Sequence, residues 1–346
     1  MSSGVLPTQP PAIDAPPEFG KVVPVRWWAG VGAAALIAQL MLLAHWVFSP
    51  YFHHVDSGPT PVPTWMKIVL VGWQVALPIA GLTVIWWFVV RPWRRDRRLT
   101  TDGLLVCAFS TLWVQDPMSA YAGQWFTYNA WMVNMGSWVH STPGWLAPGT
   151  PENQIAYPLL VVPGAYICVF LLVSFLGAGL MRRIKTRRPQ TSRVTLVACC
   201  YLFMGFFDVV FEGVIFMPLG AWEYPGGHWA VFAGTFHQYP LNEALTTGAI
   251  FTAFACIKYF VDDRGHTVAE RGAPALPAQQ RRTWAIRALA VTGLVQVAMF
   301  AGYTVPNFVV GLHGAPWNED TTKRSYLTYT CGPSLDEPCP PSGIKP

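Results

Sequence analysis

The chain has 346 residues, 52% of them hydrophobic and only 12% charged. A soluble domain carries about twice that charged share, so the composition argues against a soluble globular protein. A formal charge of +5 does not imply a nucleic-acid partner, because the basic residues fall in short clusters between apolar runs, the pattern of membrane topology.

Residues 1–26 are proline-rich and polar and read as a disordered cytoplasmic tail, with no secretory signal peptide. Seven apolar stretches then follow, each with the roughly 20 residues a bilayer demands: Trp27–Phe48, Lys67–Val90, Gly103–Tyr121, Ala156–Met181, Val194–Phe216, Pro240–Val261 and Trp284–Leu312. The third is interrupted by Gln115, Asp116 and Pro117, and an irregular segment through Trp138 is its expected continuation. Residues 313–346 form a tail beyond the seventh stretch.

Lysine and arginine set the orientation. The runs Arg91–Arg98 and Arg182–Arg193, the stretch Lys258–Arg287, and Lys21 with Arg26 hold 19 of the 23 basic residues. The alternate connections 49–66, 122–155 and 217–239 hold none. The expected fold is an all-α integral membrane protein of the cell membrane, a seven-transmembrane-helix bundle over 27–312. Its N-terminus is cytoplasmic and its C-terminus external. Six spans with a re-entrant third stretch is the rival. Seventeen tryptophans suit a chain that needs interfacial anchors in the lipid bilayer.

Cys107, Cys168, Cys199, Cys200 and Cys256 fall in the apolar stretches, where cysteine is a small packing residue. Cys331 and Cys339 lie in the external tail, where a disulfide is compatible with the compartment. No metal is expected: His45 is the one histidine within a stretch, and no HxxxH or ExxH pair occurs. A retinal linkage is set aside because the seventh stretch has no lysine between Trp284 and Leu312.

The informative residues are acids inside the stretches: Asp116, Asp208, Glu212 and Glu243. A charge in hydrocarbon costs about 2.5–3.5 kcal/mol on insertion scales, so such a group faces a cavity or a partner. At about 1.5 Å per residue from its cytoplasmic boundary, each of Asp116, Asp208 and Glu243 sits roughly 21–22 Å up. Asp116 counts from Asp102, Asp208 from Arg193 and Glu243 from Lys258. Glu212 is one turn above Asp208 on the same face. Acids crowded at one level without a basic partner favour a neutral acid beside an ionised carboxylate, the pairing that general acid and base catalysis needs. The bland alternative is that each acid hydrogen-bonds a neighbouring helix. From the external side, Trp113, Tyr128, Asn129, Asn134, His237 and Asn242 are candidates to bind substrate, with Gln115, His140 and Glu223 nearby.

The runs RPWRRDRRLTTDG, WVQDP, FDVVFEG and YPLNEA, the length and the seven-stretch layout resemble the AveC-type spirocyclases of actinobacteria, from roughly Trp27 to Asn318. That resemblance implies a membrane enzyme of secondary metabolism that closes a spiroketal on a polyketide and also dehydrates. It carries over no motif-defined catalytic set. The acids suit this chemistry: one expels water from a hemiketal, another takes the incoming hydroxyl's proton, and no cofactor is needed. The expectation is a cofactor-independent cyclase or dehydratase acting on a hydrophobic hydroxylated small molecule. Asp208 and Glu243 are its central pair, with Asp116 and Glu212 in support. The rivals are a membrane terpene cyclase and a proton-coupled transporter or binding protein. The sequence sets no oligomeric state.

Overall fold

The computed structural model describes residues 23–120, 125–142, 151, 154–276 and 280–328. Most of residues 1–26, together with Cys331 and Cys339, lie outside them.

Helix α1 runs Val23–Val47, so it begins four residues before the predicted start. Helix α2, Thr64–Ile85, passes through a π-helical turn at Trp86–Val90 into α3, Arg91–Asp96. Short helices α4, Thr101–Phe109, and α5, Asp116–Ala120, flank a 3-10 turn at Leu112–Gln115. Helix α6 spans Val162–Arg187, and α7, Arg193–Asp208, widens into a π-helical segment at Val209–Phe216. Helix α8 is Leu241–Tyr259. Helix α9, Gln280–Met299, continues through a π turn at Phe300–Thr304 into α10, Val305–Leu312. Single turns α11, Glu319–Thr322, and α12, Ser325–Thr328, follow.

Among the described residues, five helices are long and apolar enough to cross a membrane: Pro24–Val47, Thr64–Asp96, Val162–Arg187, Arg193–Leu219 and Thr283–Leu312. The other two predicted stretches differ from expectation for physical reasons. The third is not one helix. Thr100 caps α4 by accepting from the Gly103 N–H, but the Ser110 and Thr111 hydroxyls bond the carbonyls of Cys107 and Ala108 and compete with helix continuation. The break therefore comes before Gln115-Asp116-Pro117. The sixth is a continuous 19-residue helix that carries Asn242, Glu243 and Lys258.

The core explains why those two elements tolerate this. Helix α4 buries Leu104, Leu105, Val106, Ala108 and Phe109 completely, while α8 packs against both α6 and α7. Apolar α1 and α2 lie at the edge, with Met41, Ile68 and Leu82 exposed. The Lys258 ammonium pairs with Asp102 and lies 3.8 Å from the Phe175 ring centroid, tying the end of α8 to the start of α4.

Close approach of α7 and α8 depends on two glycines. A Cβ at Gly248 would sit 3.0 Å from the Gly205 Cα, and one at Gly205 would sit 3.0 Å from the Ala244 carbonyl oxygen. Asp208 is one turn beyond Gly205, and Glu243 adjoins Ala244, so this crossing brings the two acids toward each other.

The connections fold as well. Strand β1, Thr127–Tyr128, pairs antiparallel with β2, Trp222–Glu223, and β3, Ala230–Val231, pairs with β4, Tyr239–Pro240. The α11–α12 segment packs on this layer: the Ala130 N–H donates to the Tyr326 carbonyl at 2.8 Å, and Tyr326 and Leu327 are buried.

Candidate active site

One cavity of about 140 Å³ is lined by all four acids, Asp116, Asp208, Glu212 and Glu243. They come from α5, the end of α7, the π segment after it and the first turn of α8. Its walls are otherwise apolar and aromatic, with Phe126, Phe170, Phe211 and Phe251 from four different segments. No lysine, arginine or histidine is among the described lining residues.

Each acid is held by phenol or indole donors. Tyr128 and Tyr166 donate to the two oxygens of Asp116, each at 2.5 Å. Tyr239 donates to Asp208 Oδ2 at 2.5 Å. The Trp222 indole and the Tyr224 hydroxyl both donate to Glu212 Oε1, at 2.6 and 2.8 Å. Glu243 receives most: Tyr303 and Thr247 each donate to Oε1 at 2.7 Å, and Asn307 Nδ2 to Oε2 at 3.2 Å. Hydrogen bonds to an ionised acceptor are the stronger kind, so the tyrosine lining is a set of fixed donors for negative charge.

Local structure places these groups. Strand β2 alternates its side chains, and residues either side of Glu223 reach Glu212 while Glu223 itself does not line the cavity. Glu212 and Tyr303 both sit in π-helical segments, which commonly occur at functional sites. Gly213 lets Tyr239 lie flat against its segment, since a Cβ there would meet the ring at 2.8 Å.

Of the six residues expected to bind substrate, Tyr128 lines the cavity; the other five do not. Trp113 stacks edge-on to Trp138, and its carbonyl accepts from Tyr157. Asn129 Nδ2 donates to the Gly220 carbonyl at 2.8 Å, and Asn134 ties down the backbone of Val55 and Met132. Both are loop-bracing residues. His237 lies against Phe232 and Phe236, outside the cavity, where burial pushes its imidazole pKa down. Asn242 directs no described hydrogen bond at the cavity.

Three further residues are also placed elsewhere. Gln115 bonds Gln296 on α9 and accepts from Thr304. His140 stacks on Tyr51 at 4.0 Å, and burial holds its pKa down to about 4. Glu223 is fully buried, and no described donor reaches its carboxyl oxygens.

The sequence reading missed Tyr166, Trp222, Tyr224, Tyr239, Tyr303, Thr247 and Asn307. The available signal was weak: Tyr224 and Tyr239 flank the connection between the two acid-bearing runs FDVVFEG and YPLNEA. Among the described residues no three His, Cys, Asp or Glu side chains group so as to ligate a metal ion.

Five membrane-length apolar helices around a carboxylate-lined cavity are the architecture of a helical membrane protein. Residues 96–327 match the family described as Spirocyclase AveC-like, and the chain belongs to that family. No curated protein and no solved structure matches it. The match covers every acid and tyrosine of the cavity, and it implies a cyclase-type enzyme.

Proposed function

We propose that the protein is a cofactor-independent spiroketal cyclase or dehydratase, acting in the cell membrane on a hydrophobic polyhydroxylated ketone such as a polyketide. The observation that carries this reading is the convergence of four carboxyls, each braced by phenol or indole donors, on one aromatic cavity. Closure of a spiroketal expels water from a hemiketal and passes through an oxocarbenium ion. It needs a proton donor, a proton acceptor and a wall that tolerates positive charge. Carboxylates and aromatic faces supply the last.

Hydrogen bonding separates the roles. Tyr239 is the described donor to Asp208 and occupies Oδ2, so Oδ1 is left for substrate. Asp208 is assigned as the acid that protonates the departing hydroxyl. Both oxygens of Glu243 already accept donors, an arrangement suited to the carboxylate that takes the attacking hydroxyl's proton. Asp116 and Glu212 then stabilise the cation. The same pair eliminates water when no second hydroxyl is in reach.

In this reading α8 and the α4–α5 segment also cross the bilayer, giving seven spans with the N-terminus cytoplasmic. The paired ends Asp102 and Lys258 support it. A transporter needs an acid path to both faces, whereas the region between the cavity and that ion pair is filled by Phe109, Phe170, Phe251 and Phe254.

The test is conversion of a dihydroxy-ketone precursor to spiroketal in membranes carrying Asp208→Asn or Glu243→Gln. Loss of a general acid or base lowers rate by about 10²–10⁴-fold. The double variant should be little worse than the worse single one, because groups acting as a unit are not additive. Normal turnover in both single variants ends the acid–base reading.

A further inference from the structure

The cavity is too small for the whole of the molecule that the proposed reaction requires. Its volume of about 140 Å³ compares with the roughly 150 Å³ that encloses one benzene, whereas pockets that bury a drug-sized ligand run to about 300–1,000 Å³. A spiroketal has two rings joined at one carbon, and a polyketide adds substituents to both. One ring fits, and the remainder has to project through a side of the cavity that is not closed.

That side can be located. Seven of the described lining residues are partly exposed, and six of them belong to α6 (Ala165, Tyr166, Val169), the π segment (Phe211, Glu212) and β2 (Trp222). The lining supplied by α8 is buried. Helix α6 packs on α7, where a Cβ added at Gly177 would meet Met204 Cε at 2.7 Å and Cys200 Sγ at 2.9 Å. Toward the cavity, α6 and the π segment that continues α7 make little direct contact. Nearer the β layer, Trp73 of α2 meets the Phe216 ring at 5.1 Å and the Trp222 ring at 5.7 Å, which closes that end of the gap.

Two apolar stripes lead from the opening to the surface. On α6, Ala165, Val169 and Leu172 share one face at spacings of four and three, and Leu172 is 43% exposed. On α7 and its continuation, the Phe207 and Phe211 rings stack at 5.1 Å, Phe203 follows at 6.4 Å from Phe207, and Phe203 is 37% exposed.

We infer that the substrate is an amphiphile held partly in the protein and partly in the membrane: its ketone-bearing end occupies the cavity, and its hydrocarbon remainder leaves between α6 and the π segment along these stripes into lipid. This rests on the spiroketal reading above. A chain in that place keeps apolar surroundings along its whole length, whereas an exit through water would cost free energy in proportion to the apolar surface exposed. Size is then selected at the reacting end alone, and long or branched chains beyond it are tolerated.

The experiment uses the full-length protein in membranes and a dihydroxy-ketone precursor whose alkyl chain carries a photoreactive diazirine several carbons from the reacting end. On irradiation, label should concentrate on peptides containing Leu172 and Phe203–Phe207, and excess precursor without the diazirine should remove most of it. Val169→Trp, which narrows the opening, should lower kcat/KM for a long-chain precursor at least about tenfold more than for one truncated to the reacting end. Label carried mainly by the connections 49–66 or 217–239 overturns the inference. So does label on the stripes that the precursor fails to displace, which marks them as a lipid-facing surface only, and so does equal loss with both precursors in Val169→Trp. If the parent protein converts the precursor while the label lies elsewhere, this inference fails and the spiroketal reading stands. If the label is specific but Asp208→Asn and Glu243→Gln both turn over normally, the acid–base reading fails alone. A precursor that is neither converted nor bound ends both.

Discussion

Replacing Glu243 by glutamine is not a silent isosteric change, and the structure says what it costs. The introduced amide keeps a carbonyl oxygen where Tyr303 and Thr247 donate to Oε1, but places an NH₂ where Asn307 Nδ2 now donates to Oε2. Two donors then face each other at a position where Asn307 is fully buried. Flipping Asn307 turns its Nδ2 onto Thr246 Oγ1, and Thr246 then gives up donating to Oδ1 at 3.2 Å and donates to the Asn242 carbonyl at 3.1 Å. One neutral hydrogen bond is worth about 0.5–1.5 kcal/mol net, so Glu243→Gln should lose about that much stability as well as its turnover. Changing the partner tests the account. In Glu243→Gln/Asn307→Asp, the new aspartate accepts from the new amide NH₂ and still accepts from Thr246. Thermal unfolding in detergent should show most of the lost stability recovered, while conversion of the dihydroxy-ketone stays down about 10²–10⁴-fold. The carboxylate then sits on α10, away from the position on α8 that the proposed mechanism requires. A double variant no more stable than Glu243→Gln would refute the hydrogen-bond argument. Parent-like turnover in that double variant would show that placement of the charge at residue 243 is unimportant.

Gly248→Ala puts a methyl 3.0 Å from the Gly205 Cα, and since backbone cannot yield as a side chain does, unfolding assays should show a loss of about 1–3 kcal/mol with reduced turnover. Gly179→Ala, with nothing within 4 Å of the added Cβ, is the neutral comparison. Burial raises the pKa of Glu223 well above the ordinary range; Arg324 opposes this, and Glu212 and Asp320 add to it. A folded-state pKa above the unfolded value of about 4.3 means that stability falls as pH rises through the window between them. Glu223→Gln should therefore melt higher than the parent at pH 8, with the gap closing toward pH 4; a gap that widens on acidification contradicts this. Single cysteines introduced at 91–98 and at 225–235, in a variant lacking the native ones, should label from the cytoplasmic and external sides respectively, and labelling of both from one side would remove the seven-span topology.

The convergence of the four acids on one cavity was legible because the rise along a helix is countable. Asp102 and Lys258 served as independent starting points for two of the depth estimates, and the structure pairs them, so the two rulers share an origin. Fourteen residues up from one and fifteen back from the other reach the same cavity, even though the α4–α5 segment is not a regular helix throughout. The ruler had less to say about side-chain direction. The i, i+4 argument for Asp208 and Glu212 assumed α-helix, yet Glu212 lies in a π-helical segment; both still line the cavity. The polar groups of the connections between the apolar stretches were not legible. Asn129 and Asn134 brace backbone, as asparagine does in turns, and nothing in sequence separates that from substrate binding. The tyrosines were hidden for a different reason. A phenol near the end of an apolar run reads as an interfacial anchor, and only tertiary packing shows that Tyr166, Tyr239 and Tyr303 turn their hydroxyls onto carboxylates.

The difference between five membrane-length apolar helices and seven proposed spans has the same origin. A hydropathy window measures what a helix must offer to lipid, and only helices that face lipid must offer much. The most apolar windows of α1 and α2 are 11% buried, against 50% for that of α6. Helix α8, packed on both α6 and α7, buries Glu243, Thr247, Thr252 and Lys258 among its inward residues, and these polar groups are what lower its hydropathy. Glu243 and Thr247 meet the cavity at one end of the helix, and Lys258 closes the ion pair with Asp102 at the other. Helix α4 is buried as completely but is missed for a different reason: it stops after nine residues, and its continuation carries Asp116. In a bundle built around a polar cavity, enclosed elements carry polar groups and breaks that a lipid-facing helix does not. The two stretches with the weakest membrane signature supply two of the four cavity acids for that reason.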